Sequence, residues 1–138
     1  MAGRSGWGWY HDPKLAAKRK LTPAIQEKLT AFFEPLLQEY RTRISETVPD
    51  KSSVYLSEVY SKWRQHYFYL GSILKAEFEN RRANQFDEVF ARIEFVDENI
   101  FNVAYKRHNG TWFTLAKSLT LDGVFELIKN EALLQPMW

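Results

Sequence analysis

Apolar residues recur at Ile25, Leu29, Phe32, Leu36, Tyr40 and Ile44 in steps of three or four, the spacing of one helical face, and Phe33 and Leu37 widen the stripe. Thr22-Pro23 supplies the start: a hydroxyl to cap the first turn, then a proline whose missing N–H costs nothing there. The stripe keeps its phase across Pro35, so the pattern predicts one kinked helix rather than two, ending before Val48-Pro49-Asp50.

From Ser52 the period changes. SSVYLSEVYSKW and HYFYLGSILKAEF are rich in Tyr, Val, Phe and Ile and carry no helical stripe. A tight turn at Arg64-Gln65 would pair Val59 with Leu70 and Tyr60 with Tyr69. The alternative is a short helix capped by Ser52 or Ser53. ENRRANQ, residues 79–85, reads as a polar loop.

The next segment is the most informative. Asn109-Gly110 between β-type runs is a strong hairpin signal, because both residues tolerate positive φ. A two-residue type I′ loop pairs Arg107 with Trp112, Tyr105 with Thr114 and Val103 with Ala116. Upstream, Asp97-Glu98-Asn99 fits a three-residue loop with Asn99 left-handed, pairing Phe95 with Phe101, Ile93 with Val103 and Ala91 with Tyr105. Both registers select the same apolar face: Val89, Ala91, Ile93 and Phe95; then Phe101, Val103 and Tyr105; then Trp112, Thr114 and Ala116. A one-residue slip would send Arg92, Glu94 or Asn102 to the core instead. The opposite face mixes those residues and Lys106 with Phe90, Phe113 and Leu115, which suggests partial cover by the leader or a second subunit. Finally Thr120 caps a closing helix whose buried stripe is Leu121, Val124, Phe125 and Ile128. The chain is therefore expected to be α+β: an N-terminal kinked helix, an antiparallel meander of about five strands and a short C-terminal helix.

The runs FARIEF, FNVAYKRHNGTWF and SLTLDGVFELI resemble a group of small uncharacterised bacterial proteins. In these a similar meander, with an R-H-x-G-x-W hairpin, precedes a short helix. The resemblance spans roughly residues 63–130, excludes the leader, and implies the strand assignment without an activity or ligand.

Composition changes the picture mainly by exclusion. The 138 residues suit one domain, and an aromatic share of 16% favours sheet. There is no cysteine, which removes disulfides, thiolate nucleophiles and Cys-type zinc sites together. No apolar run approaches the ~20 residues that span a bilayer, and the first residues lack the apolar core of a signal peptide. The expected location is cytoplasmic, with no membrane partner.

Residues 1–20 carry Arg4, Lys14, Lys18, Arg19 and Lys20 against Asp12, a net of +4 that leaves −2 for the remainder. Two parts follow: a basic aromatic arm over 1–20 with too few periodic apolar positions for a buried element, and a single domain over 21–138. Three aromatics in the arm, Trp7, Trp9 and Tyr10, are costly to leave in water, and some of them are expected to dock on the domain or a partner.

Chemistry-bearing motifs are sparse. Neither G-x-S-x-G nor the phosphate-binding glycine loops occur, and His11, His66 and His108 lack metal-ligand spacing. No cofactor or metal is expected. His66 and His108 as an acid–base pair fail on geometry, since successive turns of a meander lie at opposite ends, about 25 Å apart for strands of about eight residues. Both are expected as solvent-facing turn histidines.

Two kinds of binding remain. One is a non-enzymatic protein-interaction module, with a partner or a second copy of the chain. The other is single-stranded nucleic acid, with Lys14, Lys18, Arg19 and Lys20 on phosphates and Trp7, Trp9 and Tyr10 stacked on bases. Arg107, laid on Trp112 in a cation–π contact, completes the candidate residues. A small-ligand or hydrolytic pocket between helix and sheet is a third possibility, and an enzymatic role is disfavoured.

Overall fold

A computed structural model describes residues 13–77 and 84–138. The elements run α1 (Pro13–Lys20), α2 (Pro23–Glu46), β1 (Tyr55–Arg64), β2 (Tyr67–Ala76), β3 (Asn84–Asp97), β4 (Ile100–Lys106), β5 (Trp112–Leu119) and α3 (Leu121–Asn130), followed by a 3₁₀ turn (Ala132–Leu134). The five strands form one antiparallel sheet in sequence order, so the fold is α+β. The β1–β2 and β3–β4 turns share one end, and the β4–β5 turn lies at the other. Among the described residues no helix is long and apolar enough to cross a membrane.

Local chemistry sets the helix boundaries. Thr22 Oγ accepts from the Ile25 N–H (3.2 Å) and Thr120 Oγ from the Gly123 N–H (3.2 Å), which caps α2 and α3. Pro35 lies within an uninterrupted α2. The helix buries Leu29, Phe33, Leu36, Leu37 and Tyr40, so Phe33 and Leu37 are central to the stripe rather than its margin.

These side chains meet Phe68, Leu70, Ala91, Ile93, Phe95, Phe101 and Val103 on the inner face of the sheet. Phe33 packs on Phe68 at 5.7 Å between ring centroids and Tyr40 on Phe90 at 6.5 Å. Phe125 of α3 closes the layer against Phe32 and Phe33. Edge strand β1 is not left open along its length. Arg41, paired with Glu34, donates to the Val59 carbonyl (3.2 Å) and occupies an acceptor that a foreign strand would need.

The leader departs from expectation. Residues 13–20 are helical and pack on β3; Ala17 is buried and Lys20 Nζ donates to Asp97 (2.8 Å). Two small alanines, Ala16 and Ala17, let a short helix approach closely without a long apolar stripe.

The first hairpin forms, with no helix at Ser52. Its turn is Gln65-His66, one residue later than expected, with Gln65 at φ 56. Val59 therefore pairs with Ser72 and Tyr60 with Gly71. Both strands keep their faces, because a turn of the same length displaced by one residue moves each cross-strand partner by two. His66 is not solvent-facing but 4% exposed, whereas His108 is exposed. Of the polar loop, Asn84 and Gln85 belong to β3.

Asn99 is left-handed (φ 51), with Phe95 opposite Phe101 and Ile93 opposite Val103, as the sequence predicts. Two irregularities then redistribute the faces. A bulge sets Gly71 opposite Val89 and Leu70 opposite Ala91, so Phe90 is the extra residue and turns inward onto Tyr40.

In the last hairpin the Arg107 N–H donates to the Thr111 carbonyl and the Gly110 N–H to the Arg107 carbonyl, with Gly110 at φ 85. This is a three-residue loop over His108, Asn109 and Gly110 rather than a two-residue one. Lys106 is therefore opposite Trp112 and Tyr105 opposite Phe113. A bulge at Leu115 restores the expected Val103–Ala116 pair. Trp112 and Thr114 lie on the outer face, while Phe113 stacks on inner-face Tyr105 (5.7 Å) and Leu115 packs on the core.

Candidate binding surface on the outer sheet face

The register aligns side chains in rows across the face that α2 and α3 leave uncovered. Glu58, Ile73 and Asp87 form one row; Tyr60, Gly71 and Val89 the next; then Lys62, Tyr69, Arg92, Ala104 and Thr114; then Arg64, Tyr67, Glu94 and Asn102. Alternation puts them there: in Tyr67-Phe68-Tyr69-Leu70, Phe68 and Leu70 are fully buried and the two tyrosines half-buried on the opposite side.

The centre of this face is an aromatic cluster around one guanidinium. Arg92 Cζ lies 4.4 Å from the Tyr67 ring centroid and 4.8 Å from that of Trp112. Tyr69 bridges the two rings, at 6.2 Å from Tyr67 and 5.8 Å from Trp112. The rings of β2 and β5 meet although two strands separate them, so the side chains lie flat across β3 and β4. Ala104, buried in the same row, leaves the indole its space. Each cation–π contact at such partly desolvated sites contributes about 1 kcal/mol.

The flanks are polar and ordered. His66 Nε2 donates to Glu94 Oε2 (3.2 Å), Asn102 Nδ2 donates to Glu94 Oε1 (3.2 Å), and the Ser118 N–H donates to Asn102 Oδ1 (2.9 Å). On the other flank Tyr60 lies over Gly71 and its hydroxyl donates to Asp87. Burial, and then the Asp87 carboxylate, push that phenol well above its usual range.

The predicted site residues separate. Trp7, Trp9 and Tyr10 lie outside the described residues, as do the side chains of Lys18 and Arg19. Lys14 is exposed on α1 and Lys20 pairs with Asp97. Arg107 does not reach Trp112; the longer loop lays it over Phe113, 4.2 Å from the ring centroid, and Arg92 takes its place at the indole. Tyr67, Tyr69 and Arg92 were missing from the sequence-derived set. Their signal was Tyr-Phe-Tyr-Leu alternation beside an arginine on the polar side of β3.

Two other arrangements bear on function. An open pocket of about 470 Å³ at the helix–sheet seam is walled by Phe32, Phe95 and Phe101, with Lys28, Glu98 and Asp122 also lining it. Its lining holds no histidine, serine or threonine to serve as a nucleophile with its base. Among the described residues no group of histidine and carboxylate side chains is placed to hold a metal.

No curated protein and no solved structure matches the chain. Residues 11–134, which take in α1 as well as the sheet and α3, match the family described as "Domain of unknown function (DUF3024)", and the chain belongs to that family.

Proposed function

We propose that this domain is a non-enzymatic binding module that engages a protein partner through the outer face of its sheet. The observation that carries the reading is the half-exposed cluster of Tyr67, Tyr69, Trp112 and Arg92. Tyrosine, tryptophan and arginine are the residue types that dominate protein interfaces, because they bury large areas at little entropic cost. The face is mixed in charge rather than uniformly basic: Lys62, Arg64, Lys75, Arg92 and Lys106 share it with Glu58, Asp87 and Glu94. Carboxylates interrupt the cations from row to row, so a strand of phosphates would meet repulsion as well as attraction. The absence of cysteine and the resemblance of the hairpin sequence support a bacterial, cytoplasmic setting.

Selection of peptides from a random displayed library against the full chain tests the reading. Amide shifts caused by the selected peptides should centre on Tyr67, Tyr69, Arg92 and Trp112, and Tyr69→Ala should weaken them about tenfold or more. Footprints confined to α2 or α3 would refute it. A second copy of the chain qualifies as the partner, and light scattering across a concentration series reads that case.

Stacked aromatics on an open sheet also suit unpaired bases, which keeps single-stranded nucleic acid as the second reading. Binding of oligo(dT) at low salt that weakens steeply with added salt and is lost in Tyr69→Ala would favour it over a protein partner.

A further inference from the structure

Arg92 lies against the Tyr67 and Trp112 rings, yet its guanidinium has no ion-pair partner among the described residues. Its Nε is buried and has no hydrogen-bond acceptor among them. The nearest carboxylate along its strand and face is Glu94, and both Glu94 oxygens are engaged, one by His66 and one by Asn102. Arg92 as a whole is only half-buried, and holding a guanidinium partly out of water without an anion is costly; an oxyanion that meets the open end of the fork offsets that cost. Contact with the Tyr67 and Trp112 rings already restricts the side chain, so less entropy remains to be lost on binding.

We propose that Arg92 is the anion-recognition centre of the outer face and that its ligand is a carboxylate, an aspartate or glutamate side chain of the partner flanked by apolar residues that cover Tyr69 and Trp112. The inference rests on the binding surface described above and gives the partner its chemistry. A carboxylate suits the site better than a phosphate for two reasons. One carboxylate is matched by one guanidinium fork, which can take it bidentately. A phosphate dianion would need further cations at the same point, whereas Lys106, opposite Trp112, is offset there by Glu94, two residues along the strand from Arg92.

The test follows the Arg92 Nε–Hε resonance in the full chain, assigned by its loss in Arg92→Lys. Sodium acetate should move it saturably, with half-effect in the tens of millimolar expected for a lone charge-assisted contact. Sodium chloride at matched ionic strength should move it far less. Equal movement by acetate and chloride, or none, overturns the proposal. Stronger movement by inorganic phosphate than by acetate overturns the carboxylate assignment and points to a phosphorylated or nucleic-acid ligand.

Library-selected peptides provide the independent arm. Exchange of their acidic residue for the amide should weaken binding to the wild type at least tenfold and to Arg92→Gln hardly at all. Equal weakening in both proteins refutes the role of Arg92 while leaving the face as a binding surface. Peptides that leave no footprint on the face remove both readings. Thermal unfolding of Arg92→Lys and Arg92→Gln separates a lost fork from a lost fold.

Discussion

Replacing Gly71 with alanine tests the outer face at its tightest point. A Cβ there would collide with the phenol end of Tyr60, 2.8 Å from Cε2 and closer still to Cζ and the hydroxyl oxygen. Tyr60 must therefore swing away, which breaks its hydroxyl's bond to Asp87 and uncovers one face of the ring. A hydrogen bond to a charged acceptor contributes about 1.5–3 kcal/mol, and partial exposure of this one puts it towards the lower end. Alanine recovers roughly 0.5–1 kcal/mol over glycine within a strand. The net cost should be about 1–2 kcal/mol. For 138 residues the unfolding entropy is near 0.3 kcal/mol per degree, so Tm should fall by about 3–7 °C.

The control is the double-mutant cycle. In a Tyr60→Ala background nothing obstructs the new methyl group, and Gly71→Ala should become neutral or stabilising. Urea or thermal unfolding of the four proteins gives the coupling, expected at about 2 kcal/mol. If Gly71→Ala costs the same with and without Tyr60, the ring does not occupy the space above Gly71 and the outer-face register is wrong.

The Tyr60 phenol is raised in the folded chain, so its stabilisation is complete below the unfolded phenol's ~10 and is lost as pH climbs from there. Stability of the wild type should decline above about pH 10, and Tyr60→Phe should decline less steeply in a urea series at alkaline pH. The Asp97 carboxyl is held below the usual range first by Lys20 and then by the Glu98 N–H. Lys20→Gln should move its carbonyl-carbon NMR titration towards the ordinary value, and an unchanged titration would mean that α1 does not dock through this pair. Gly110 needs only its left-handed backbone, since a Cβ there meets nothing within 4 Å. Gly110→Ala should therefore cost about 1–2 kcal/mol in unfolding and Gly110→Asn less; equal costs would argue against the three-residue loop.

Where hydrophobic period and turn chemistry agree, the fold could be read from the chain: both capped helices, the Asn99 turn and the pairing of β3 with β4 behave as their residues dictate. The errors have a common cause. Asn-Gly serves a two-residue loop and a three-residue one equally well, and His108 and Thr111 are polar enough for either. The extra residue at Phe90 leaves no mark of its own, because Phe90 and Ala91 are both apolar and either suits a core. An error of one residue in a loop's length, or one extra residue within a strand, inverts the stretch that follows, whereas sliding a turn of fixed length does not. That is why Trp112 was assigned to the core and Arg107 to the indole. The Tyr67, Tyr69, Arg92 and Trp112 cluster proposed as the anion site was hidden for a further reason: it depends on side chains from β2, β3 and β5 meeting across the sheet, which no local window contains.

The corner at residues 108–110 also acts as a parity selector. Removing one of its residues would turn Phe113 and Leu115 outward and send Trp112 into the core, and the bulge at Leu115 would have nothing left to correct. A single-codon deletion in a surface loop would thus trade an indole for a phenyl ring on the display surface without altering any strand residue. Within the family, loop length at this corner should therefore vary together with which ring of β5 stands on the outer face, while the composition of β5 stays the same.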